Sequence, residues 1–136
     1  MAEQRILIVG GVAGGASCAA RARRLSEEAQ IIIFERGPYV SFANCGLPYF
    51  VGDVIKAEAD LLVASEDLFR DRFNIEVRTE SEVIDIDATA RQVQVRDLRN
   101  GTTYRETYDA LVLAPGATPI RPPLPGIDLP GIFALR

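Results

Sequence analysis

The apolar positions of this chain fall into two textures. Up to about residue 78, short continuous runs alternate with helix-favouring stretches. Ile6-Leu7-Ile8-Val9 is one such run, stopped by Gly10-Gly11, and it predicts a central parallel strand buried on both faces. From Ala13 or Gly14 to about Ala29 the residues are mostly Ala, Arg, Leu and Glu, which predicts a helix. Ile31 to Phe34 is a second buried strand that ends at Glu35. Strand, glycine turn, helix and strand within about 35 residues make a βαβ unit.

Arg36 to Asn44 reads as a loop, followed by a short helical candidate from Cys45 or Gly46 to Val51. Ser65, with Glu66 and Asp67 after it, predicts an N-capped helix reaching about Phe73. Ile75 to Arg78 then reads as a third parallel strand. Beyond it the pattern becomes alternating. Val83–Ile86, Gln92–Asp97 and Thr103–Tyr108 predict a small antiparallel meander, with Asn100-Gly101 as a hairpin signal. Ala110 to Leu113 is one more buried strand, stopped by Pro115-Gly116. The last twenty residues are rich in Pro and Gly and read as a linker. The fold class is therefore α/β, a parallel sheet plus an antiparallel meander. The abrupt end at Arg136 raises the expectation of a longer protein.

Composition narrows the chemistry. Hydrophobic residues make up 48% of the 136 and charged residues 25%, ordinary values for a globular α/β domain. The net charge of −4 gives no general attraction for nucleic acid or an anionic membrane. There is no His, which removes a Ser-His-Asp triad and a His metal site; no metal is expected. Cys18 and Cys45 form neither a zinc pattern nor a secreted disulfide framework, and they fit a reducing, cytoplasmic compartment. The first apolar run is too short for a signal segment or a membrane span.

The turn Gly10-Gly11-Val12-Ala13-Gly14-Gly15 has two of the three glycines of the dinucleotide fingerprint, with Val12 at the third position. Gly10 permits the tight turn and Gly15 the close helix packing. The N–H groups at the helix start can hold a pyrophosphate. Glu35, at the end of the next strand, is placed to accept hydrogen bonds from both ribose hydroxyls. The alternative is that the glycines serve packing alone and Glu35 is a solvated strand end.

Two further features carry candidate chemistry. Ser17, Arg21 and Arg24 share one helical face, while Cys18, Ala22 and Leu25 share the neighbouring face and read as core. The spacing alone favours a solvated face, with Arg21, Arg23 and Arg24 balanced by Glu27 and Glu28, over a phosphate-binding stripe. Cys45 stands at a predicted helix start, which favours thiolate, with no second Cys nearby. A lone thiolate can hold a product as a mixed disulfide or cycle through a sulfenic acid. Asn44 and Ser41 are polar neighbours able to orient a substrate or the thiol. An inert loop cysteine is the competing reading.

Val9 to Gly15, Phe34-Glu35 and above all Ser41-Phe42-Ala43-Asn44-Cys45-Gly46-Leu47-Pro48-Tyr49 resemble the coenzyme A-disulfide reductase family, the single-cysteine branch that includes NADH oxidases and peroxidases. Tyr108 to Ala117 resembles the second FAD-contacting segment of these flavoproteins. The resemblance implies a Rossmann-like FAD-binding domain over residues 1–117 and a linker, 118–136, toward an NAD(P)-binding domain outside the chain. It implies an extended FAD on Gly10, Gly11, Val12, Ala13, Gly14, Gly15, Glu35, Arg36, Ser41, Asn44, Val83, Ala114, Pro115 and Gly116. It implies Cys45 and Asn44 as catalytic residues, with NADH or NADPH as the electron source. Ser17, Arg21, Arg24, Ser41 and Asn44 match coenzyme A contacts, which turns the preference on Arg21 and Arg24 toward phosphate binding. Phe73 stands where some members carry a substrate-contacting Lys. The implied reaction is reduction of coenzyme A disulfide, persulfide or polysulfide by a homodimeric full-length protein. The alternatives are an NADH oxidase or peroxidase, and a non-catalytic nucleotide-binding module.

Overall fold

The computed structural model describes residues 4–136. Among the described residues, seven strands form two sheets that pack on each other through Leu7, Ile32, Phe34, Val93 and Val95. Strands β1 (Arg5–Val9), β2 (Gln30–Phe34), β3 (Glu76–Arg78) and β7 (Ala110–Leu113) make a parallel sheet in the order β3-β2-β1-β7. Strands β4 (Ser81–Asp87), β5 (Gln92–Asp97) and β6 (Thr103–Thr107) make the antiparallel meander. The helices are α1 (Gly14–Leu25), α2 (Leu47–Val51) and α3 (Glu66–Phe73), with single 3-10 turns at Asn44–Gly46 and Glu58–Leu61.

The continuous apolar runs have a physical cause. Side chains of a strand alternate between faces. Ile8, Ile31 and Ile33 point to the helix side, where Ala16, Ala19, Phe69 and Ile75 meet them. Leu7, Ile32 and Phe34 point the other way, onto Val93 and Val95 of the meander. Both faces of the sheet are covered, so β1 and β2 need apolar residues at every position. The meander has one covered face only, and its strands alternate.

Most element boundaries match the sequence pattern, and the departures are local. Helix α1 stops at Leu25 instead of continuing to Ala29, because Ser26 is extended (φ −147°, ψ 113°) and its Oγ accepts the Ala29 N–H. The Arg23 guanidinium holds this exit by donating to the carbonyls of Ser26, Glu27 and Ala29, and to Phe73 and Asn74 across the gap to α3. The inner face of α1 is Gly15, Ala16 and Ala19, not Cys18 and Leu25: Cys18 is half-buried and Leu25 is 70% exposed. Short side chains let α1 lie close on the sheet, and Leu25 falls on the outer side of its last turn.

Strand β4 starts two residues earlier than the alternation suggests, with an irregularity between Val83 and Asp85. The Asn100-Gly101 signal does mark the hairpin between β5 and β6. The loop is longer than a two-residue turn: Asp97 and Thr102 close it, only Gly101 is left-handed (φ +74°), and Asn100 Oδ1 accepts the Thr102 N–H. The Ser65 cap is present, its Oγ accepting the Leu68 N–H at 3.1 Å. After Leu113 there is no further helix or strand among the described residues.

Candidate functional site

The carboxyl ends of β1, β2 and β7 open into a cleft of about 320 Å³. Its floor is the glycine turn. Gly10 leaves β1 with φ +92°, and a Cβ there would lie 2.0 Å from the Ala114 carbonyl oxygen. A Cβ on Gly15 would lie 1.7 Å from the Gly10 carbonyl oxygen. Only glycine fits either place. Gly14 differs, since a Cβ there meets nothing nearer than Ala114 Cβ at 3.5 Å. Gly14 opens α1 and lines the cleft, and no side chain caps this helix start. Its first N–H groups and the positive end of the helix dipole remain for an anion.

Glu35 is buried beside the turn. Its Oε2 accepts the Gly11 N–H at 2.8 Å and its Oε1 accepts the Gly37 N–H at 2.7 Å, yet it still lines the cleft. A carboxylate has about four acceptor positions, so two remain for hydroxyl donors. Gly11 does not face the cleft: its N–H is spent on Glu35 and its carbonyl accepts the Ser41 N–H. The cleft is lined by Gly10, Val12, Ala13, Gly14, Glu35, Arg36, Asn44, Val83, Ala114, Pro115 and Gly116, while Gly11, Gly15 and Ser41 lie outside the lining. A second cavity of about 530 Å³ adjoins it, sharing Val12, Glu35, Arg36, Phe42 and Arg136.

The thiol segment is held by main-chain bonds. Phe42 bridges Leu62 antiparallel, and the Ala43 N–H donates to the Leu61 carbonyl at 2.7 Å. The 3-10 turn Asn44–Gly46 follows and runs into α2, so the helix start expected at Cys45 or Gly46 lies at Leu47. Gly46 packs closely here, since a Cβ would be 2.7 Å from Leu61 Cδ2, and Leu61 would have to shift to make room for it. Asn44 lines the cleft, and Cys45 beside it is a free, exposed thiol outside the lining. Cys18 is also free and half-buried.

On α1, Ser17, Arg21 and Arg24 are all exposed. Among the described residues neither Arg21 nor Arg24 forms an ion pair, whereas Arg23 is consumed by backbone carbonyls. Three arginines that look alike in sequence thus divide into one clamp and two unoccupied cations. Phe73 packs against the core near Phe69, with ring centroids 6.1 Å apart, and carries no charge to this face.

Behind Phe34, which lines the cleft, the two sheets are pinned by charge. The Arg78 guanidinium lies over the Phe34 and Tyr104 rings at 5.4 and 5.6 Å. Arg78 donates to Glu76 and Glu106, each at 2.6 Å, and Glu106 also pairs with Arg5. Burial works to raise the Glu106 carboxyl, but the hydrogen bonds from Arg78 and Arg5 outweigh it and hold it below the usual carboxylate range. Burial likewise opposes the charge on Arg78, and its acidic partners more than restore it.

The sequence profile described as pyridine nucleotide-disulphide oxidoreductase matches residues 4–136. The chain belongs to this family. A coenzyme A disulfide reductase of Staphylococcus epidermidis is 45% identical over 114 residues, covering 84% of this chain and 26% of that protein. The reduced CoADR-RHD of Bacillus anthracis superposes with a TM-score of 0.89 at 50% identity, covering 93% of this chain and 23% of that one. An NAD-dependent persulfide reductase of A. fulgidus superposes with a TM-score of 0.85 at 38% identity, covering 91% of this chain and 23% of that one. The chain thus spans about a quarter of the length of these relatives.

Within this oxidoreductase domain, the sequence reading missed several residues that the fold brings to the cleft. Ser81 and Glu82 reach it because β4 starts early, Phe42 because the thiol segment doubles back, and Ala117 and Arg136 because the tail folds over the turn. The apolar start of the β4 run gave a local signal at Val83 only. Among the described residues no helix is long and apolar enough to cross a membrane, and no cluster of His, Cys, Asp and Glu is arranged to hold a metal ion.

Proposed function

We propose that this chain is the flavin-holding and thiol-bearing part of a reductase that uses NADH or NADPH to cleave coenzyme A disulfide, persulfide or polysulfide at Cys45. The nicotinamide site lies outside the chain, and the whole protein is read as a cytoplasmic homodimer. The observation that carries the reading is the adjacency of Asn44, which lines the dinucleotide cleft, to the free, exposed Cys45.

The residues around the cleft fit an extended FAD. The uncapped start of α1 suits its pyrophosphate, and the two spare acceptor positions of Glu35 suit a ribose diol. Gly10 leaves no Cβ between the turn and the Ala114 segment, which lines the same cleft as Arg36 and Val83. Bound there, FAD would supply two-electron chemistry between a nicotinamide and a sulfur acceptor.

Cys45 does the sulfur chemistry. Its thiolate attacks one sulfur of the acceptor, a Cys45–S bond forms, the acceptor's S–S bond breaks, and the second sulfur leaves as a thiolate. The mixed disulfide then takes up two electrons and one proton, which frees the retained thiol and returns the Cys45 thiolate. Asn44 orients the acceptor beside it. Ser17, Arg21 and Arg24 bind the phosphates of a coenzyme A-type acceptor, since both guanidiniums are exposed and unpaired among the described residues.

The test is the full-length, flavin-loaded protein with NADH or NADPH, assayed against coenzyme A disulfide, polysulfide, peroxide and oxygen. Turnover of the two sulfur acceptors well above peroxide and oxygen is expected, and Cys45→Ser should abolish it while flavin stays bound. Faster turnover of peroxide or oxygen would favour the sulfenic acid cycle instead. Sulfur reduction that survives Cys45→Ser would refute the assigned thiol.

A further inference from the structure

Ser41 is the only non-glycine residue between the glycine turn and Cys45 with a left-handed backbone, at φ +51°. An L residue adopts that conformation at a cost, and it persists only where the surroundings over-determine it. Ser41 is held from both sides. Its N–H donates to the Gly11 carbonyl at 2.8 Å, and its own carbonyl accepts the Val63 N–H at 2.9 Å. Gly11 in turn donates to Glu35. A continuous line of hydrogen bonds therefore runs from the buried Glu35 carboxylate to the Gly11 main chain, and from there through the Ser41 main chain to the segment that bridges Phe42 and Ala43. Cys45 follows two residues later. The Ser41 hydroxyl makes no hydrogen bond among the described residues, and Ser41 lines neither cavity.

The geometry points to Ser41 as a positioning residue for Cys45 that acts through its main chain and not through its hydroxyl. The inference rests on the reading of Cys45 as the working thiol. Turning φ back to an extended or right-handed value rotates the N–H relative to the carbonyl by more than about 100°. One of the two anchors, Gly11 or Val63, must then be given up. The thiol segment would lose its fixed direction out of the glycine turn, and Cys45 would lose its fixed place beside the cleft.

Two substitutions separate main chain from side chain. Ser41→Gly removes the hydroxyl and favours the left-handed backbone. Ser41→Thr keeps the hydroxyl and adds a β-branch that disfavours it. The readout is the rate at which Cys45 of the reduced, full-length, flavin-loaded protein forms a mixed disulfide with hydroxyethyl disulfide, followed by mass. This probe is too small to use the cationic face of α1. Ser41→Thr is expected to slow the reaction roughly tenfold, the size of a left-handed penalty on a branched residue. Ser41→Gly, which keeps the left-handed backbone and loses only the hydroxyl, should be slowed much less than Ser41→Thr. Equal slowing by both substitutions would assign the effect to the hydroxyl and overturn the inference. So would a lowered melting temperature for Ser41→Thr with an unchanged rate, or no change in either. If Ser41→Thr does not fold, Ser41→Asn replaces it: it lacks the hydroxyl but tolerates the left-handed backbone, so it should keep most of the parent rate. Strong slowing by both Ser41→Asn and Ser41→Gly would overturn the inference. Failure of the parent reading looks different: sulfur reduction would survive Cys45→Ser whatever Ser41 does to the modification rate.

Discussion

Gly14 and Gly15 are adjacent residues in the first turn of the same helix, yet replacement by Ala should act on them in opposite ways. Helix propensity alone favours both changes, by about 1 kcal/mol each. At Gly15 the new Cβ would stand 1.7 Å from the Gly10 carbonyl oxygen, where contacts below 3.0 Å do not occur. The obstacle is backbone, with Ile8 Cγ2 behind it at 3.1 Å, so no side chain can swing aside. Helix α1 and the end of β1 must part by more than about 1 Å. Overpacking of this kind costs about 1–3 kcal/mol and sometimes more, against the propensity gain of about 1 kcal/mol. A backbone contact of 1.7 Å belongs at the upper end of that range, so a net loss of up to about 2 kcal/mol is expected for Gly15→Ala, together with loss of bound flavin, because the parting opens the phosphate turn. Gly14→Ala meets only Ala114 Cβ at 3.5 Å, so the fold should melt no lower than the parent. Its methyl group does enter the cleft, so flavin should bind more weakly. The assay is a thermal melt of the full-length protein with flavin stoichiometry measured on the same samples. A Gly15→Ala protein that melts with or above the parent and keeps its flavin would refute the reasoning.

Two further outcomes follow from charges described above. The folded-state pKa of Glu106 is depressed, so its contribution is present at neutral pH and is lost as pH falls through the ordinary value of 4.5 and then the folded one. Glu106→Gln should cost about 1.5–3 kcal/mol at neutral pH and show a shallower loss of melting temperature on acidification; an unchanged acid profile would refute the role given to Arg5 and Arg78. Removing the exposed cations of α1 by Arg21→Ala with Arg24→Ala should raise KM for coenzyme A disulfide by roughly tenfold or more, the worth of one charge-assisted bond, with little effect on a small disulfide lacking phosphate. Equal KM changes for both acceptors would argue against phosphate binding.

The parts of the fold that the sequence made legible are those with local causes. The runs at β1 and β2 are continuous because both faces of the sheet are covered, and the meander alternates because only one is. Ser65 and Gly101 signal their cap and turn through their own backbone needs. The glycine turn was legible for the same reason. Helix α1 was harder: its inner face is Gly and Ala, so hydrophobic contrast around the helix is weak, and the larger Cys18 and Leu25 pointed to the wrong side. Arg23 could not be told from Arg21 and Arg24 because its carbonyl partners at Phe73 and Asn74 lie about fifty residues away. Ser41 gave no signal, since serine is not a residue whose presence announces a left-handed backbone. Arg136 reaches the cleft only through the path of the tail.

The bonds that fix the thiol segment join peptide groups: Ser41 to Gly11, Ala43 to Leu61, Val63 to Ser41. Peptide groups are the same in every amino acid but proline. The address of the sulfur is thus written in the backbone, which a substitution disturbs only where, as at Ser41, it changes the backbone conformation that the residue favours. A side chain that lines the cleft without anchoring this segment, such as Asn44, can be exchanged with these main-chain bonds in place. One scaffold can in this way be refitted for bulky or small acceptors while its reactive atom stays where it is.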